Sequence, residues 1–461
     1  MPKETLQDRI EFYNKLFPEI YQTRKFPKGF KLMPLGWALT DEIVSRASID
    51  AVIDGAPQKI RPIGTMDVEF LMDDIIELAR KGIVDLGKSY PCGLKCPGCF
   101  SEEKIYGDKD NLMKWQEVME VIDDARKIGL QSIKFLGPGE LFQNPDLFDI
   151  LDAAKKRNLP ISIFTKGAEL GDNELAEKVY GNIGIKTAKD LVDRIAEYSN
   201  VRILLGFNSF YPSRQNRMVG SYSRLSNYGI VDGKFVNRGI SDYTTKRDRA
   251  LVNLVNAGFN DPERGQRLSL IASPVGLDQI DEIPDMYVWA AKRNIPLVIA
   301  PTMESGPKSQ GLMKHNEKLD PEHEKLIELM IAVYSKGIKD GIMTLEQLRQ
   351  EGTSAYMGTS PCSQVSNGLF MRLNGQIQLC PGRSDEEAVY GNVHNTPIAK
   401  IWVNSPNYHR TDLTNNWCAA KTSGMPQWIQ DEVESRLQER YGKRFYYAFK
   451  RLVHLTVTRR F

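Results

Sequence analysis

The chain has 461 residues, more than one ordinary domain and enough for a barrel of about 250 residues with flanking units. Hydrophobic residues make up 41% and charged residues 26%, which supplies a sizeable core and excludes bulk disorder. Basic and acidic side chains number 61 and 59, a formal net charge of +2 that creates no general field for nucleic acid.

Residues 1–82 read as an N-terminal extension to which no role is assigned. The start, Met1-Pro2-Lys3-Glu4, lacks the apolar stretch of a secretory signal. No apolar run approaches the roughly 18–20 residues that cross a bilayer, so a soluble, cytoplasmic protein with no membrane partner is expected. Arg24 to Gly36 carries Pro27, Gly29, Pro34 and Gly36 and reads as loop, and Asp67 to Lys81 has helical spacing of apolar residues.

From residue 83 strand and helix patterns alternate. The expected strands are Ile83 to Gly87, Ser132 to Leu136, Ile161 to Phe164, Val201 to Phe207, Leu268 to Ile271 and Pro296 to Ala300. Helices are expected at Trp115 to Ile128, Pro145 to Arg157, in two stretches ending near Tyr198, at Lys246 to Ala257 and at Ile280 to Lys292. Six such units specify a parallel sheet covered by helices, with chemistry at the carboxyl ends of the strands. The pattern alone does not separate an open doubly wound sheet from a partial barrel. Ser209 to Thr245 is long for a βα connection, and Asp232-Gly233 within it signals a hairpin. The domains expected are a barrel at 83–305, a helical bridge at 306–355, a small cysteine-bearing domain at 356–425 and a C-terminal helix within 426–461.

Six cysteines fall in two groups, and a reducing compartment turns them toward metal ligation rather than disulfides. Cys92, Cys96 and Cys99 share one short loop, Cys92-Gly-Leu-Lys-Cys96-Pro-Gly-Cys99. Three thiolates cannot complete a four-coordinate site, and zinc ribbons and ferredoxin runs place a fourth cysteine nearby. Here the next is Cys362. A [4Fe–4S] cube on three cysteines would leave one iron open. Further along, Gly137-Pro138-Gly139-Glu140 follows the second strand, Thr165-Lys166-Gly167 the third, Asn208-Ser209 the fourth and Ser273 the fifth. Glycines let backbone approach a ligand closely, and a carboxylate accepts hydrogen bonds from an ammonium.

This set resembles the radical S-adenosylmethionine (radical SAM) enzymes. The resemblance implies a partial (β/α)6 TIM-like barrel, a [4Fe–4S] cluster on Cys92, Cys96 and Cys99, and S-adenosylmethionine on the open iron. Gly137, Gly139 and Glu140 match the family's G-G-E motif for the methionine amino group, and Thr165 opens a segment similar to its T-N-G. Asn208, Ser209 and Ser273 stand where the family places polar cofactor contacts. The family commonly has a bulky residue before the third cysteine; here it is Gly98, and Phe100 is assigned its packing against the adenine. Reductive cleavage would give a 5′-deoxyadenosyl radical that abstracts hydrogen from a small-molecule or peptide substrate, with flavodoxin or ferredoxin as electron donor.

Cys362, Cys380 and Cys418 surround Gly368 to Cys380, a hairpin pattern with Asn374-Gly375 at its tip. This region resembles the SPASM and twitch extensions of radical SAM enzymes, which carry an auxiliary Fe–S cluster. With only three cysteines, the fourth ligand falls to another group, and His394 and His409 are the candidates. The rival reading is a non-catalytic Fe–S electron carrier or structural zinc protein. Such a protein would need no methionine-binding groups like those at Gly137 to Glu140.

Overall fold

The computed structural model describes residues 4–22, 25–26, 48–86, 92–94, 96, 99, 111–137, 139–221, 228–231, 234–237, 242–276, 278–300, 321–354, 356–359, 364–382, 389–409 and 427–441. Its centre is a nine-stranded sheet. In chain order the strands are β1 (Ile49–Ile53) and β2 (Ala56–Ile60), which pair only with each other, then β3 (Thr65–Glu69), β4 (Ser132–Gly137), β5 (Ile161–Thr165) and β6 (Val201–Gly206). A second two-stranded unit, the antiparallel pair β7 (Tyr228–Val231) and β8 (Lys234–Asn237), flanks Asp232-Gly233, which lie outside the described residues. There follow β9 (Leu268–Ala272), β10 (Leu297–Ile299), β11 (Gly368–Met371), β12 (Gln376–Gln378) and β13 (Val389–Asn392).

The order across the main sheet is β10-β9-β6-β5-β4-β3-β11-β12-β13. Six strands from β3 to β10 are parallel and lie side by side in chain order. A doubly wound sheet reverses its strand order at a switch point, and this one does not. Right-handed crossovers in constant order put every helix on one face, so the sheet curls as a partial barrel. Alternation along the strands agrees. Met66, Val68, Ile133, Phe135, Ile161, Ile163 and Ile203 join the large apolar core with helix residues such as Val118, Met119 and Ile122. The residues between them face the lumen.

Five of the six expected strands stand within two residues of their expected ends. The first does not. Residues 83–86 form turns and bends, and the first parallel strand is β3, inside the stretch assigned to the N-terminal extension. The helix expected over Asp67 to Lys81 is correspondingly short, Asp73–Arg80. Pairing with β4 on one side and β11 on the other draws residues 65–69 into the sheet, and that ladder outweighs their helical spacing.

The N-terminal helix, Leu6–Leu16, begins with a capping box between Thr5 and Asp8. Tyr13 on its inner face packs against Phe207, Phe210 and Trp289, and Phe17 at its C-cap packs against Trp289. After the barrel come helices Pro321–Asp340 and Leu345–Glu351 and the hairpin β11–β12, whose tip holds Gly375 at φ 78°. The hairpin does not stand apart: β11 lies parallel against β3, so barrel and C-terminal unit share one sheet. Arg61 fastens them further, donating to the carbonyls of Ser366, Asn407 and Tyr408 and to Asn367 Oδ1. Helix Gln427–Tyr441 lies within the expected C-terminal helix, which extends past the described residues. Among the described residues no helix is long and apolar enough to cross a membrane.

Candidate active site

The cysteine loop rests on the carboxyl ends of β5 and β6. Cys92 and Cys96 pack against Leu94, Ala168, Leu175, Val219 and Tyr243. Tyr243 starts the helix Tyr243–Asn256, and its hydroxyl donates to the carbonyls of Lys166 at 2.8 Å and Gly206 at 3.3 Å, tying together the two strand ends beneath the loop. The Cys99 N–H donates to the Cys96 carbonyl at 3.1 Å. All three thiols are half-buried.

Glu140 lies beside them. Gly139, at φ 76°, turns the chain off β4 through the left-handed region, which glycine enters without a Cβ penalty. The Glu140 carboxylate accepts from the Thr165 hydroxyl at 2.7 Å, the Lys166 N–H at 2.9 Å and the Phe142 N–H at 3.3 Å. Gly167, at φ 68°, completes the cradle by donating its N–H to Thr165 Oγ1 at 2.7 Å. Burial pushes the Glu140 carboxyl above its ordinary range against these bonds. Burial likewise drives the Cys92 thiol well up, with Cys96, Cys99 and Glu140 adding to the rise. Cys96 is raised by burial, opposed by Lys166. Thus three thiols, one carboxylate and one ammonium share an electrostatic neighbourhood over the strand ends.

Among the described residues no group of three or more His, Cys, Asp or Glu side chains converges tightly enough for a single metal ion. Thiolates are the ligands that iron–sulfur clusters take, and three on one short loop supply three corners of a cube. The donor set is therefore compatible with a cube held at three corners.

Asn208, Ser209 and Ser273 meet elsewhere on the rim. Asn208 Oδ1 accepts from the Ser273 N–H at 2.9 Å, joining the ends of β6 and β9. The Ser209 hydroxyl donates to Glu282 Oε1 at 2.7 Å, and Arg214 binds the same carboxylate at 2.6 Å. These bonds commit the Ser209 side chain to the scaffold. Gly137 is the last residue of β4. Phe100 lies outside the described residues, as do Cys362 and Cys418. Cys380 is half-buried beside Val365, Leu379 and Tyr390, and accepts from the Gly382 N–H at 3.4 Å.

The two candidate histidines differ in placement. His394 lies at the hairpin tip, its Nε2 3.0 Å from the Asn111 carbonyl, with the length of the β12–β13 ladder between it and Cys380. His409 ends the short helix Pro406–His409, in which Asn407 binds the Leu379 carbonyl at 3.2 Å and the Tyr390 hydroxyl at 2.9 Å, on the Cys380 side.

Residue patterns missed part of the site. Glu169 is fully buried, accepts from Gln143 at 2.7 Å through one oxygen, and has no partner on the other. Burial and the nearby Glu140 push its carboxyl up to about 8. Its only sequence signal is its place just after Thr165-Lys166-Gly167. In the lumen, Asp67 pairs with Lys134 at 2.8 Å and Glu69 lies 3.8 Å from Arg372. Charges at alternate positions of otherwise apolar strands were their signal, and at Asp67 and Glu69 the helical spacing obscured it.

Comparison with known proteins gives three findings. Residues 89–227 match the sequence model of the radical SAM superfamily. A segment of 87 residues, 19% of this chain, is 33% identical to the tungsten-containing aldehyde ferredoxin oxidoreductase cofactor-modifying protein of Pyrococcus furiosus and spans 24% of it. The chain thus matches about a quarter of that relative's length. Similar solved structures include anSMEcpe with bound AdoMet and Cp18Cys peptide (TM-score 0.49, 13% identity, 86% of this chain and 100% of that one) and Streptococcus suis SuiB (0.45, 14%, 75% and 67%).

Proposed function

Because residues 89–227 match the sequence model of the radical SAM superfamily, we propose that the chain is an enzyme that reductively cleaves S-adenosylmethionine and uses the product to abstract hydrogen from a substrate C–H bond. The observation that carries this reading is the placement of Cys92 and Cys96 within electrostatic reach of Glu140, with Cys99 in reach of Cys92, above the strand ends.

Cys92, Cys96 and Cys99 would hold the [4Fe–4S] cluster that the family uses with S-adenosylmethionine. When bound, that pair supplies an electron and a 5′-deoxyadenosyl radical. The protein's part is orientation and exclusion. Glu140 presents a buried carboxylate, fixed by Thr165 and the Lys166 N–H, to an incoming ammonium. Leu94, Ala168, Leu175, Val219 and Tyr243 keep water from the inner side of the loop, where a radical would otherwise take hydrogen from any donor.

Cys380, with Cys362 and Cys418, would hold an auxiliary Fe–S cluster in a SPASM- or twitch-like unit, and His409 is better placed than His394 as a further ligand. The substrate is a peptide or small molecule. Flavodoxin or ferredoxin supplies the electron, and the compartment is the cytoplasm.

The test is anaerobic reconstitution followed by dithionite and S-adenosylmethionine, with chromatography for 5′-deoxyadenosine. Alanine at Cys92, Cys96 and Cys99 should abolish that product. Alanine at Cys362, Cys380 and Cys418 should spare it and remove roughly half the iron. Zinc without iron in the purified protein would overturn the assignment.

A further inference from the structure

The lumen of the barrel has two unlike walls. On β5, β6, β9 and β10 the inward residues nearest the carboxyl ends are apolar, and Phe164, Leu204, Ile271 and Val298 form a separate cluster with Leu136 and Tyr356; Ser162, Arg202 and Ser269 share that face closer to the amino ends. This wall lies beneath the cysteine loop, which rests on the ends of β5 and β6. The opposite wall, on β3, β4 and β11, is charged. The register places Phe370 beside Asp67 and Met371 beside Val68, so alternation brings Arg372 to the face of Asp67 and Glu69.

Arg372 is 1% exposed, yet most of its hydrogen-bonding capacity is unused. Its Nε–H donates to Gln378 Oε1 at 2.9 Å, which fixes the plane of the guanidinium. Nη1 and Nη2 have no hydrogen-bond partner, and the nearest carboxylate oxygen, Glu69 Oε1, stands 3.8 Å from Nη1. The other Glu69 oxygen accepts from the Leu373 N–H at 2.8 Å, which holds that carboxylate in place. Lys134 is already engaged by Asp67 and Gln364, each at 2.8 Å. Among the described residues of this wall, the unsatisfied donors therefore belong to one rigid fork, and a fork of parallel N–H groups matches a carboxylate bidentately. Buried polar groups without partners are rare in folded proteins, and a missing ligand is a recognised reason for one.

We propose that Arg372 anchors a carboxylate of the substrate, which lies across the lumen with its apolar, hydrogen-donating portion against the Leu204–Ile271–Val298 wall under the cysteine loop. The substrate class is then an amphipathic molecule bearing a carboxylate, whether a free acid or an acidic or C-terminal group of a peptide. The proposal rests on the radical SAM reading for the chemistry but not for the binding. Arg372 is a binding residue here, and no electron or proton passes through it.

The experiment follows the melting temperature of the reconstituted full-length protein against N-acetylglycine, with N-acetylglycinamide as the neutral control, at constant ionic strength. A ligand that binds only the folded state raises the melting temperature with its concentration, so a variant's own stability does not confound the reading. The wild type should show a saturating rise with the acid and none with the amide. Arg372→Gln should weaken the apparent dissociation constant at least tenfold, and Arg372→Lys should fall between.

The proposal is overturned if the wild type shows no saturable response to N-acetylglycine, if acid and amide act alike, or if Arg372→Gln responds as the wild type does. It is also overturned if Arg372→Gln weakens S-adenosylmethionine binding, which would assign the fork to that cofactor's own carboxylate. Absence of 5′-deoxyadenosine from every form would sink the functional reading alone, since the titration needs no turnover.

Discussion

Glu169 illustrates what burial does to a single carboxyl group. Its folded-state value of about 8 lies above the ordinary value of 4.5, because the charged form is poorly solvated and faces Glu140. The folded chain therefore keeps a proton that the unfolded chain has lost between these two values. Stability should fall as pH rises through that window and level off above it. Glu169→Gln removes the group that titrates. Urea unfolding at pH 5 and pH 8 should show the wild type losing on the order of 1–3 kcal/mol relative to Glu169→Gln, and equal slopes would refute the buried-carboxyl account. The charges of the cysteine loop were legible in sequence by spacing alone. Glu169 was not, because nothing local marks a glutamate as enclosed.

At the scale of elements, the cysteine loop depends on how closely the turn after β5 approaches the helix Tyr243–Asn256. Gly171 makes that approach possible: a Cβ there would lie 1.8 Å from the Lys246 carbonyl oxygen and 2.7 Å from the Ala250 nitrogen. Both are backbone atoms and cannot rotate away. Gly171→Ala should push the helix outward, loosen the Tyr243 bonds to Lys166 and Gly206, and cost roughly 2–3 kcal/mol in chemical denaturation. Unchanged stability would mean that the helix docks less tightly than described. The turn sequence did reveal the hairpin at Asn374-Gly375 and the antiparallel pairing on either side of Asp232-Gly233, since turn chemistry is local. Apolar spacing misled at residues 67–81, where it suits a helix but two flanking strands supply a better ladder for the first three.

Across the whole molecule, the N-terminal helix is part of the barrel's wall. Tyr13 is fully buried, with its ring 5.1–5.7 Å from those of Phe207, Phe210 and Trp289. Its hydroxyl donates to Asp248 at 3.0 Å and accepts from Arg247. Tyr13→Ala should therefore cost about 3–5 kcal/mol, because it opens a cavity and leaves an N–H of the buried Arg247 without a partner. Near-wild-type urea unfolding of Tyr13→Ala would instead describe a detachable extension.

The sequence by itself determined the cysteine spacing, the alternation of strand and helix, and the Gly-rich and Thr-bearing strand ends, because each is a short-range pattern in residue type. Only the tertiary structure decided that the strands lie in unbroken order and curl rather than reverse, since strand order depends on long-range pairing. It alone also made β3 the first barrel strand, fused the C-terminal hairpin to that strand, and enclosed Glu169 and Arg372 with donors or acceptors unspent. Burial is a property of what surrounds a residue, and the surroundings of these two come from positions far apart in the chain.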